Sequence, residues 1–99
     1  MIVTDAPAIT LPGKRAEDVA LAKETVAYLE QHWPLSQPRM LIEDVTDGRI
    51  HVISLKASLA EHESQVAEEY ADEGFTTLAQ KIDQLIVPGT SRQTYSHVL

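Results

Sequence analysis

Between Pro38 and Ala57 the chain reads RMLIEDVTDGRIHVISLK, two β-rich runs joined by Asp47-Gly48. Asp-Gly is a strong hairpin signal, because a type I′ turn needs positive φ at both central residues. With Asp47-Gly48 as the loop, a ribbon 39–46/49–56 pairs Val45 with Ile50, Asp44 with His51 and Ile42 with Ile53. One face then shows Met40, Ile42, Ile53 and Leu55. The other shows Leu41, Val45, Ile50 and Val52. Both faces are apolar, and a lone two-stranded ribbon is marginal in water. Helices are expected to cover one face. The face with Leu41, Val45, Ile50 and Val52 is the candidate surface for a second copy of the chain.

The flanking segments supply those helices. Over 14–33, Val19, Ala22, Val26, Leu29 and Trp33 recur at three- and four-residue steps, and Pro34 ends the run. Ser58 and Glu61 have capping-box spacing, and Leu59, Val66 and Tyr70 share one side of a helix over 58–73. Gly74 interrupts, and the stripe Leu78, Ile82, Leu85 starts in a new phase, so a separate helix is expected over 77–87. Residues 1–13 contain Pro7 and Pro12 and read as an extended lead with an edge strand at Ile2–Thr4 or Ala8–Leu11. Residues 90–99 are a tail whose stretch Thr94–Leu99 favours a strand. The expectation is one α+β domain over 1–99: two layers, with a long N-terminal helix and two C-terminal helices on one face of a small antiparallel sheet.

The charge is uneven. Residues 1–56 carry six basic and eight acidic residues, whereas 57–99 carry two and seven. Glu61, Glu68, Glu69, Asp72 and Glu73 crowd the helix 58–73 and form a candidate docking face for a basic protein. The formal net charge of −7 opposes nucleic-acid binding, which draws on Lys and Arg. A helix-turn-helix reading of residues 65–86 fails on the same ground, since its supporting helix would press carboxylates against phosphates. No run reaches the length of a membrane span and no leader is legible, so a cytoplasmic protein is expected.

Chemistry is sparse. Cysteine is absent, which excludes thiolate ligands and nucleophiles. The four histidines form no ligand pair at i, i+4, and no glycine-rich phosphate loop exists. No metal or cofactor is expected. Asp44 opposite His51 is the one pair with acid–base potential, and cross-strand charge pairs are usually structural. The sequence therefore reads as a non-enzymatic, homodimeric binding or regulatory domain. The alternatives are an acidic inhibitor, immunity or antitoxin-like protein docking through helix 58–73, and a small enzyme using Asp44 and His51.

Overall fold

A computed structural model describes residues 1–99. The chain runs β1 (Ile2–Ala8), α1 (Arg15–His32), β2 (Met40–Glu43), β3 (Ile50–Lys56), α2 (Leu59–Ala71), α3 (Glu73–Asp83) and β4 (Thr94–His97). The four strands form one antiparallel sheet in the order β2-β3-β1-β4. The two-layer α+β arrangement read from the sequence is the one observed. No helix is long and apolar enough to cross a membrane.

The lead is more than an edge. β1 lies between β3 and β4, pairing Ile2 with Lys56 and with His97. Pro7 is tolerated in this central strand because β4 pairs only with Ile2 to Asp5. The Pro7 carbonyl points to the β4 side, where it meets Arg92 N at 3.4 Å. The missing N–H therefore faces a stretch with no ladder to complete.

The hairpin register departs from expectation. Ile42 faces His51 and Met40 faces Ile53, a slip of two residues. Only glycines have positive φ in this chain, so Asp47 cannot enter a type I′ turn. A wider loop forms instead. Asp44 O accepts from Gly48 N at 2.7 Å, the Asp44 carboxylate accepts from Thr46 N at 2.8 Å, and Gly48 sits at φ 75. A two-residue slip preserves which face each side chain occupies.

The helices lie over the face carrying Ile2, Thr4, Ala6, Ala8, Leu41, Ile50, Val52, Ser54 and Lys56, as strand alternation requires. The other face, with Val3, Asp5, Met40, Ile42, His51, Ile53 and Leu55, has no element over it. Met40 and Ile42 are 59% and 38% exposed.

The break between α2 and α3 falls at Asp72, whose carboxylate caps α3 by accepting from Phe75 N at 2.8 Å. The expected start at Thr77 is thus four residues late. Gly74 lies inside the first turn of α3, where a Cβ would clash with the Tyr28 hydroxyl. Glycine here makes room for α1. The helix expected to reach 87 stops at Asp83 because the next residues turn back to the lead: Leu11 N bonds Leu85 O and Val87 N bonds Ile9 O. Ser58 caps α2 as expected, accepting from Glu61 N at 3.1 Å.

Candidate functional site

The layer between helices and sheet is unusually polar. Eight apolar residues are buried, among them Ile2, Pro7, Ala22, Leu29, Ile50 and Leu78, against nine polar or charged ones. Buried charges persist only when paired or put to use. The polar set divides into a support and a site.

The support is Arg39, whose side chain is 3% exposed. Its Nη1 donates to Glu30 Oε1 at 2.9 Å and its Nη2 to the Trp33 carbonyl at 2.8 Å. Glu30 also accepts from Arg39 N. This clamp ties the end of α1 to the start of β2. Its two-pronged geometry suits the planar guanidinium.

The site is a cavity of about 170 Å³ between the sheet and α2, walled by side chains of all three layers of chemistry: hydroxyls, charges and apolar groups. β1 and β3 contribute Thr4, Ser54 and Lys56; the two hydroxyls bond each other. α2 contributes His62, Val66, Glu69 and Tyr70, α1 contributes Thr25 and Leu29, and Gln93 enters just before β4. The strand period places Ser54 and Lys56 on one side. The helical period places His62, Gln65 and Glu69 on one stripe of α2, and all three are buried.

Lys56 Nζ stands 2.7 Å from His62 Nδ1. An ammonium can only donate, so His62 accepts at Nδ1 and carries its proton at Nε2. That Nε2 is buried and has no hydrogen-bond partner, and neither has Gln65 Oε1. Burial and then the Lys56 charge depress the His62 pKa; Gln93 offsets this in part without completing a bond to Nε2. Burial also depresses the Lys56 pKa. Burial raises the Glu69 pKa, against the opposing pull of Lys56 and Arg39. The cavity thus holds a Lys–His pair in the company of a carboxyl group of raised pKa, the combination that marks acid–base sites.

The acidic residues singled out in the sequence do not share one face. Glu69 lies inside. Asp72 is occupied by the Tyr28 hydroxyl at 2.6 Å and by the α3 cap, both of which lower its pKa. Glu68 accepts from Trp33 Nε1 at 2.9 Å. Glu61 and Glu73 are exposed. Of the residues expected to meet a second copy, Leu41, Ile50 and Val52 turn towards the helices, and Val45 sits on the loop, 93% exposed.

Asp44 and His51 do not pair. The two-residue slip puts Ile42 opposite His51, and Asp44 is held in its own loop, its pKa lowered chiefly by the Thr46 N–H. His51 Nδ1 instead meets Asp5 at 3.0 and 3.1 Å on the open face. In the sequence Lys56 carries no motif, and His62, with no ligand at i+4, reads as a surface histidine. Lys56 could have been found from parity, since it alternates with Ile50, Val52 and Ser54. His62 sits at i and i+7 with Glu69, but apolarity pointed to Leu59 and Tyr70, which are 45% and 63% exposed.

No family model matches this chain, and no curated protein does. Solved structures do match. One is an antibiotic biosynthesis monooxygenase, 20% identical, TM-score 0.77, covering 100% of this chain and 99% of that one. Another is a NIPSNAP family protein from Agrobacterium tumefaciens, 15% identical, TM-score 0.80, covering 99% and 85%. A third, from Caulobacter crescentus, is named a candidate antibiotic biosynthesis monooxygenase, 18% identical, TM-score 0.78, covering 99% and 89%. The reading of a non-enzymatic protein is corrected here: four of the matching structures carry monooxygenase names, and missing sequence motifs do not argue against catalysis on such a fold. What the likeness shows of this chain is its fold, the ferredoxin-like α+β domain shared with antibiotic biosynthesis monooxygenase-like and NIPSNAP structures.

Proposed function

We propose that this chain is a small enzyme of the monooxygenase kind, acting on an enolisable carbonyl compound held in the cavity under α2. The observation that carries the reading is the buried Lys56–His62 pair, with His62 Nε2 unpartnered, in one cavity with Glu69. A carbonyl oxygen placed against the Nε2–H of His62, which Lys56 polarises from Nδ1, has its developing negative charge stabilised by a donor already in position. Glu69, ionised, takes the proton from the adjacent carbon; its raised pKa makes it the better base. The product of that step is an enolate, electron-rich enough to react with dioxygen. For an activated methylene the balance is CH2 plus O2 giving C=O plus water. One oxygen atom stays on carbon, the other leaves as water, and the two C–H bonds supply the four electrons.

The test separates the two steps. Deuterium exchange into cyclic 1,3-diones, followed by NMR without oxygen, reads proton abstraction; an oxygen electrode reads the second step. Wild type is expected to accelerate both. Glu69→Gln and Lys56→Met are expected to lose at least about a hundred-fold, the usual scale of an acid–base contribution. Wild type with no exchange and no oxygen uptake overturns the reading.

We also propose that two copies associate through the open sheet face. Val3, Met40, Ile42, Ile53 and Leu55 lie together there with no helix over them. An uncovered apolar strip on a sheet is best matched by the same strip of a second copy, a closed two-fold arrangement. Sedimentation equilibrium is expected to show a dimer that Ile53→Glu converts to monomer. A monomeric wild type at micromolar concentration contradicts it.

A further inference from the structure

We propose that the cavity has a second, apolar compartment, and that the ligand is a ring-sized enolic head carrying a short unbranched alkyl chain. The inference rests on the reading of Lys56, His62 and Glu69 given above and adds the shape of the substrate. Beside the first cavity lies another of about 70 Å³, between the sheet, α1 and α3. It is walled by Ala8, Ala22, Ile50, Ile82 and Ile86. Ala6, Thr25 and Val52 line both spaces, so the two cavities share a wall.

None of the three is a polar barrier. The Thr25 hydroxyl is already bonded to the Leu21 carbonyl at 2.8 Å. The one carboxylate lining the second space, Asp18, is bonded by the Thr10 hydroxyl. Of the groups lining the two compartments, the unpartnered polar atom is His62 Nε2, and His62, 5% exposed, belongs to the first. A dry cavity of roughly 150 Å³ holds a benzene ring. The first compartment is of that size, and the second is about half of it, room for a few methylenes. Three alanines, Ala6, Ala8 and Ala22, hold this space open.

The probes are 2-acetylcyclohexane-1,3-dione and its homologues with propionyl and butyryl in place of acetyl, titrated by ultraviolet absorbance and calorimetry. In wild type each added methylene is expected to tighten Kd by about four-fold, the effect of burying one CH2 group. Ala22→Leu, which fills the second compartment, is expected to bind the acetyl compound as wild type does and to lose the gain for the longer chains. Ile82→Ala, which enlarges it, is expected to move the optimum to a longer chain. The homologue series in wild type stands alone if a variant fails to fold. If the acetyl compound binds and the longer chains bind no better, the second compartment is refuted while the head-group reading survives. If none of the three binds, the head-group reading is refuted, and this inference with it.

Discussion

Replacing Arg39 with methionine tests whether the clamp supports the cavity. Methionine keeps much of the apolar stem and removes both guanidinium bonds, to Glu30 Oε1 at 2.9 Å and to the Trp33 carbonyl at 2.8 Å. Breaking a buried ion pair by deleting one partner costs about 3–5 kcal/mol. Here the cost is smaller. The Glu30 side chain is 31% exposed and can rehydrate, it still accepts from Arg39 N, and the Trp33 carbonyl keeps a bond from Gln65 Nε2 at 3.3 Å. Discounting for that exposure leaves about 2–3 kcal/mol. For a domain of this length the loss lowers Tm by about 10–20 °C. Thermal unfolding followed by circular dichroism, at pH 7, reads it. A double-mutant cycle with Glu30→Gln isolates the pair, with a coupling of at least about 1 kcal/mol expected. A Tm within about 3 °C of wild type, or a coupling near zero, refutes the clamp as a support. The variant should also raise the pKa of both Lys56 and Glu69, since the Arg39 charge lowers each.

Gly74→Ala is expected to lower Tm even though alanine is the better helix former, because its Cβ would drive the Tyr28 hydroxyl off Asp72; a Tm at or above wild type contradicts the close approach. The pH dependence has a defined sign. The folded pKa of His62 is depressed below 6.5, so as pH falls below that value the unfolded chain takes up the proton first, and stability is lost down through the folded pKa. His62→Gln should lose less stability than wild type on acidification through this window; parallel Tm profiles would show the imidazole to be unperturbed. Glu69 has the opposite sign. Its folded pKa is raised above 4.5, so stability falls as pH rises through the raised value, and the Tm of Glu69→Gln should gain on wild type over that range. A gap that does not change with pH removes the burial penalty from the account.

What could be read from the sequence was local. Pro34 follows α1 closely, Ser58 caps α2, and alternation along 39–56 groups Met40 and Ile42 with Ile53 and Leu55; each depends on neighbours within a few residues. What failed depended on partners far along the chain. The extended pairing of Leu85 to Val87 with Ile9 to Leu11 shortens α3. The hairpin slipped because the backbone at Asp47 stays at negative φ, which the dipeptide Asp-Gly does not reveal. The site was hidden for a different reason. A search for apolar stripes centres the inner side of α2 on Leu59, Val66 and Tyr70; Val66 and Tyr70 do reach the cavity wall, but the buried residues are His62, Gln65 and Glu69, because the surface they face is polar. Polar residues at helical spacing look like solvent-facing ones unless the opposite strand is known to offer Ser54 and Lys56.

A ligand in the cavity under α2 should engage His62, whose Nδ1 Lys56 holds. Nitrogen-15 NMR of the histidine side chains, recorded as 2-acetylcyclohexane-1,3-dione is added, tests it most directly. The free protein is expected to show a neutral His62 with its proton on Nε2, and ligand to shift that resonance, an effect lost in Lys56→Met. A ligand that leaves His62 unmoved, or that shifts His51 on the open sheet face instead, would contradict it.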